Sequence, residues 1–128
     1  ESAVKADSLV SLTRSTGVIS SIMEKSQIAI TSNGRTLYEL AHLNIPAIVI
    51  SQHKREDSHE FACRENGFIP ISIFKEGESE EKVLEELTLL IEKKEYRQNL
   101  FEKLLKFEFH KTKKNVLNKL IELLPNEQ

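Results

Sequence analysis

A chain of 128 residues with 39% apolar and 30% charged side chains is long enough for one domain with a real core, and this composition argues against disorder over most of its length. A formal net charge of −2 supplies no basic field, so nucleic acid is not an expected partner. The single cysteine, Cys63, excludes an internal disulfide and a Cys-rich metal site and points to a reducing, cytoplasmic setting.

The chain opens Glu1-Ser2-Ala3 without an initiator methionine, and excision from a longer protein is expected. Residues 1–7 read as a lead-in with little apolar signal. Leu9, Val10 and Leu12 suggest a short strand ending at Thr13, and Val18, Ile19, Ile22 and Met23 share one face of a short helix after Gly17. Ile28-Ala29-Ile30 has the form of a strand buried on both faces, and Leu37, Leu40 and Ala41 then recur at helical spacing until Asn44 and Pro46 stop the helix. Ala47-Ile48-Val49-Ile50 is the clearest strand of the chain. Beyond it, Asp57 is expected to cap a helix carrying Phe61, Ala62 and Cys63, with Asn66-Gly67 as terminator. Phe68, Ile69, Ile71 and Ile73 predict a further strand, which Pro70 suits to a sheet edge.

Strands alternating with short helices imply right-handed βαβ crossovers and a parallel sheet. The expected fold is α/β, a three-layer Rossmann-like domain with its α/β core over residues 8–76 and a helical tail over 79–124. The tail carries Val83, Leu84, Leu87, Leu90 and Ile91, then Tyr96, Leu100, Phe101, Leu104 and Leu105, then Val116, Leu117, Leu120, Ile121 and Leu124 before Pro125. The longest apolar run, Ile45 to Ile50, is too short to span a bilayer, so no integral membrane segment is expected.

In open parallel sheets ligands bind beyond the carboxyl ends of the strands. After Ile30, Ser32, Asn33 and Gly34 lead straight into a helix, whose first N–H groups and positive dipole end favour a phosphate. Thr36 adds a hydroxyl, Arg35 a charge, and Glu39 stands a little over one turn further on, suited to a ribose diol. The same residues also make an ordinary capped helix start, and neither a P-loop nor G-x-G-x-x-G is present. After Ile50, the polar loop from Ser51 to His59 holds His53, Asp57, Ser58 and His59, which could serve acid–base work or hold sugar hydroxyls, or form a solvated loop. No metal is expected, since His53 and His59 lack a third ligand. Cys63 reads as a small core residue, His42 as a surface group, and Lys103, Lys106, Lys111, Lys113 and Lys114 as a solvated face.

The stretch Ile28-Ala-Ile-Thr-Ser-Asn-Gly-Arg-Thr-Leu-Tyr-Glu-Leu-Ala, followed by Asn44-Ile-Pro-Ala-Ile-Val-Ile, resembles the C-terminal domain of GT-B-fold glycosyltransferases of the lipid II-forming family. It is closer still to the related UDP-sugar hydrolases of pseudaminic acid biosynthesis, and similar segments are fused to a cytidylyltransferase in proteins that activate sialic-acid-type sugars. The resemblance covers about residues 18–73. It implies the GT-B C-terminal half, truncated at its start. It places Ser32, Asn33, Gly34 and Thr36 at the phosphates, Glu39 at the ribose, and His53, Asp57, Ser58 and His59 at the donor sugar. That glycosyltransferase family carries a glutamine pair where this chain has Asp57 and Ser58.

The resemblance implies a UDP-sugar as ligand, no further cofactor, and an N-terminal domain of the same protein as partner. That domain would hold the catalytic base, so the present piece is expected to bind without turning substrate over. The competing expectation is a Rossmann-like interaction or oligomerisation module with a degenerate nucleotide site, with a second copy of the chain as candidate partner. A phospho-receiver would need an acidic cluster after the first strand, and the chain supplies none there.

Overall fold

An apolar tetrapeptide without polar alternation suits a strand covered on both faces. In the computed structural model, Ala47–Ile50 is the middle strand of a three-stranded parallel sheet among the described residues, which are 9–14, 17 and 19–123. In chain order the elements are α1 (Ile19–Met23), β1 (Ala29–Ser32), α2 (Thr36–His42), β2 (Ala47–Ile50), α3 (Lys54–Asp57), a 3-10 turn (Arg64–Asn66), β3 (Phe68–Ile71), α4 (Glu78–Glu92), α5 (Lys94–Leu104), a second 3-10 turn (Phe109–Lys111) and α6 (Thr112–Leu123). The sheet order is β1-β2-β3, with Ala29 opposite Ala47 and Ala47 opposite Phe68.

Period-two alternation sends the sheet side chains into two apolar clusters. Ala47, Val49 and Phe68 pack with Leu37, Leu40 and Ala41 of α2 and with Met23 of α1. Ile48, Ile69 and Ile71 pack instead with Leu90 of α4 and Leu100 of α5. The segments expected as a helical tail therefore pack on the sheet through Leu104 and on to Phe109; of α4, α5 and α6, only α6 has no buried residue. Pro70 lies exposed on β3, opposite Val49, where a missing N–H costs no ladder bond on the outer side.

Three expectations are corrected. Ile30 is 48% exposed, on a β1 that among the described residues has a neighbouring strand on one side only. No strand forms over Leu9–Arg14, and Leu9 is 93% exposed; a lone strand leaves its backbone groups unpaired unless it joins a sheet edge, and these residues join none. The helix expected from Asp57 through Cys63 is a single turn ending at Asp57, for a reason that lies in the candidate site. Val18, the lead-in, Leu124 and Pro125 lie outside the described residues.

Two stops form as local chemistry dictates. Asn44 takes a left-handed φ of 56°, Ile45 N–H donates to Leu40 O at 2.9 Å and Asn44 N–H to Ala41 O at 3.1 Å, which is a Schellman ending for α2. Gly67, at φ 87°, ends the first 3-10 turn, and a Cβ there would stand 2.6 Å from both Leu100 O and Leu104 Cγ. The start of β3 thus meets α5 at backbone contact distance. Gly67→Ala should lower the unfolding free energy by about 3 kcal/mol or more through left-handed strain and overpacking together, as read by urea titration.

Arg64, on the same 3-10 turn, donates to both Tyr96 of α5 and Glu86 of α4, and the Tyr96 hydroxyl donates to Glu86 at 2.9 Å. Partial burial works against the Arg64 charge, but its hydrogen bonds to Glu86 and Tyr96 outweigh this and raise its pKa. Burial likewise raises the Tyr96 phenol, Glu86 adds to the rise, and Arg64 opposes it. The folded state therefore holds the phenol proton more tightly than the unfolded chain. Its contribution is complete below the ordinary value of 10.0 and is lost as pH climbs through the higher folded value. Stability to urea should fall above about pH 10, and Tyr96→Phe should flatten that fall.

Candidate functional site

The carboxyl ends of β1 and β2 are adjacent, so the turn after Ser32 and the loop after Ile50 leave the sheet side by side. Asn33 joins them. Its side chain, in a residue only 4% exposed, donates through Nδ2 to Glu56 O at 2.7 Å and to His59 O at 3.4 Å. In return the Asn33 carbonyl meets His59 Nδ1 at 3.2 Å. A carbonyl only accepts, so Nδ1 carries the proton and Nε2 of the neutral ring is left as an acceptor.

This link meets α3 where the helix ends. Continuing the helix would require Arg55 O to accept from His59 N–H, but that N–H turns to Glu56 O, the carbonyl on which Asn33 also draws from across the site. His59 N–H reaches Glu56 O at 3.0 Å, and the Ser58 hydroxyl closes on Arg55 O at 2.7 Å. The helix start belongs to His53, whose Nδ1 accepts from Glu56 N–H at 3.4 Å, while the Glu56 carboxylate accepts from Gln52 N–H at 2.9 Å. Released from any helix, Phe61 stacks on Tyr38 with ring centroids 4.5 Å apart and packs on Phe68 and Phe107.

The β1–α2 turn differs from the expected capped start. α2 begins without a side-chain cap, and Gly34 has an ordinary negative-side conformation stabilised by its N–H bond to Ser32 O at 3.0 Å. The first amides with a helical acceptor are those of Leu37, to Gly34 O, and Tyr38, to Arg35 O, which leaves the amides of Arg35 and Thr36 without one among the described residues. A Cβ at Gly34 would meet only Ser32 Oγ, at 3.9 Å, so the fold itself does not require glycine here.

The residues expected to form one site open on three cavities. Ser32 lines a cavity of about 450 Å³ with Ile30, Thr31, Ile50, Gln52 and Phe74. Asn33, Gly34, Arg35 and His59 line a second, of about 420 Å³, together with Tyr38 and Phe61. Glu39 lines a third, also about 420 Å³, with Tyr38, His42 and Phe109. Tyr38 is common to the second and third. Thr36 is half-buried at the start of α2, and His53 and Asp57 are exposed at the two ends of α3.

Asn33 therefore holds two loops together and has no free amide for a phosphate, and the Ser58 hydroxyl is engaged within its own turn. Sequence reasoning missed Tyr38, Phe61 and the Glu56 carbonyl; Phe61 stood two residues beyond His59 but was assigned to a helix face. Among the described residues no group of His, Cys, Asp or Glu is arranged to hold a metal ion, and no helix is long and apolar enough to cross a membrane.

Asn33→Ala should cost about 1–3 kcal/mol and speed amide exchange between Gln52 and His59. Asn33→Asp should cost more, because a buried carboxylate would face two carbonyl oxygens; urea titration of both variants ranks them. No protein family, curated protein or solved structure matches this chain.

Proposed function

We propose that this chain is the nucleotide-sugar-binding part of a glycosyltransferase or UDP-sugar hydrolase of surface-polysaccharide or nonulosonic-acid synthesis, with a Rossmann-like fold of the GT-B C-terminal kind. The observation that carries this reading is the Asn33 link, which holds Gly34, Arg35 and His59 around one cavity at the carboxyl edge of a parallel sheet. The resemblance of the stretch from Ile28 to Ala41 supplies the ligand class.

In this reading the diphosphate accepts from the amides of Arg35 and Thr36, the Thr36 hydroxyl and the Arg35 guanidinium. These charge-assisted bonds strengthen as the diphosphate leaves. Gly34 leaves room for a phosphate oxygen to approach the backbone. The nucleoside extends past Tyr38, which lines both cavities, and so reaches Glu39 with its ribose. His59 Nε2 accepts from a sugar hydroxyl, and His53 and Asp57 stand exposed at the outer end of the same loop. The catalytic base belongs to another domain of the protein.

Titration of the labelled chain with UDP, UDP-N-acetylglucosamine and CMP, followed by amide NMR, tests this. Shifts should appear at Gly34, Arg35, Thr36 and His59 with the uridine ligands. Gly34→Ala should melt like the parent and bind at least about tenfold more weakly, since its Cβ would occupy the space of the phosphate. A chain unmoved by millimolar nucleotide overturns the reading. In that event the second reading stands, an interaction module with a degenerate site, favoured by the engagement of the Asn33 and Ser58 side chains within the protein.

A further inference from the structure

Two helix faces of opposite charge have no cover among the described residues. On α6, Lys113, Val116, Leu117, Leu120 and Ile121 fall on one face at helical spacing, and no residue of α6 is buried. The four apolar side chains are each more than half exposed. Lys113 and Lys114 at the start of the helix have no acidic partner among the described residues, whereas Lys111 and Lys119 are paired with Glu108 and Glu122.

The second face is on α4. Val83, Leu87 and Leu90 turn to the sheet, and the opposite side presents Glu81, Leu84, Glu85, Thr88, Ile91 and Glu92. Those positions follow one another three or one apart, which is a single stripe along the helix. Leu84 and Ile91 are both more than 60% exposed, and a shallow cavity of about 520 Å³ opens between Leu84, Glu85, Thr88 and Leu89. Glu81, Glu85 and Glu92 have no cationic partner among the described residues, since Lys82 is taken by Glu78 and Arg64 by Glu86.

We propose that the α6 face of one copy of this chain docks on the α4 face of a second copy. Each face has an apolar stripe edged by unpaired charge, cationic on α6 and anionic on α4, so the contact buries the apolar side chains and pairs the charges at its rim. Pairing α4 with α4 would oppose the glutamates, and pairing α6 with α6 would leave the glutamates of α4 and its apolar stripe uncovered; the mixed pair covers both faces and pairs the charges. One helix-on-helix contact is small beside the roughly 1,600 Å² of an ordinary specific interface, so the association is weak and concentration-dependent. The dimer does not depend on the nucleotide site.

Sedimentation velocity on the whole chain tests the proposal over a range of concentration and salt. A dimer that weakens with added salt is expected. Leu117→Glu with Leu120→Glu should give monomers that keep the parent's circular dichroism and melting, because neither residue contributes to the core. Lys113→Glu with Lys114→Glu should weaken association by about tenfold, two rim pairs acting together. Mixing that variant with Glu81→Lys, Glu85→Lys chains should restore a mixed dimer. A parent chain monomeric at its highest soluble concentration overturns the proposal. So does a dimer indifferent to the leucine changes, or one that the α4 charge reversal neither weakens alone nor rescues in the mixture.

Discussion

The side chain of Asn33 sets the geometry of everything at the carboxyl edge of the sheet. A primary amide carries two N–H donors, and in a residue nearly closed to water they must find acceptors. Here they find the carbonyls of Glu56 and His59, from a loop more than twenty residues away. Those bonds hold the loop at the point where α3 ends, and the Asn33 carbonyl in turn fixes the His59 ring by its Nδ1 proton, beside the stack of Phe61 on Tyr38. One buried amide thus converts two separate strand ends into a single concave surface.

The platform beneath it is equally constrained. β2 is buried on both faces, and its two sets of side chains build two separate apolar clusters that only the sheet keeps apart. α5 reaches both of them, giving Leu100 to one and Leu104 to the other as it passes Gly67. The absence of a Cβ at Gly67 is what allows that passage, and the Arg64–Glu86–Tyr96 group ties the same 3-10 turn to α4 and α5. The segments after Gly77 therefore belong to the packing of the sheet until Phe109, and only α6 beyond it leaves the core.

For ligand binding, the consequence is a surface divided by Tyr38 rather than one enclosed pocket. The turn amides and His59 face one side of it and Glu39 the other. An extended ligand, with an anionic group at the turn and a polar ring system further along α2, matches that shape better than a compact one does. The hydroxyl of Ser32 opens on a different, mainly apolar cavity beside Phe74, which separates it from the backbone donors that follow it in the chain.

Much of the scaffold was legible from local chemistry. The apolar run at β2, the helical spacing of Leu37, Leu40 and Ala41, the left-handed stops at Asn44 and Gly67, and the edge position of Pro70 follow from β-branching, periodicity and backbone sterics, which act over a few residues. So did the placing of a polar turn after β1 and a polar loop after β2, which together form the candidate site. The rest was decided by partners distant in sequence. Ile30 is half exposed on a β1 that has no strand beyond it among the described residues, α3 stops where His59 N–H turns to Glu56 O and Asn33 reaches in, and Glu39 opens on a different cavity from the turn, with Tyr38 common to both. Apolar spacing in α4, α5 and α6 is alike in the sequence, yet two of these helices cover the sheet and the third does not. Periodicity specifies that a helix has a face to bury; only the tertiary structure supplies the surface that buries it.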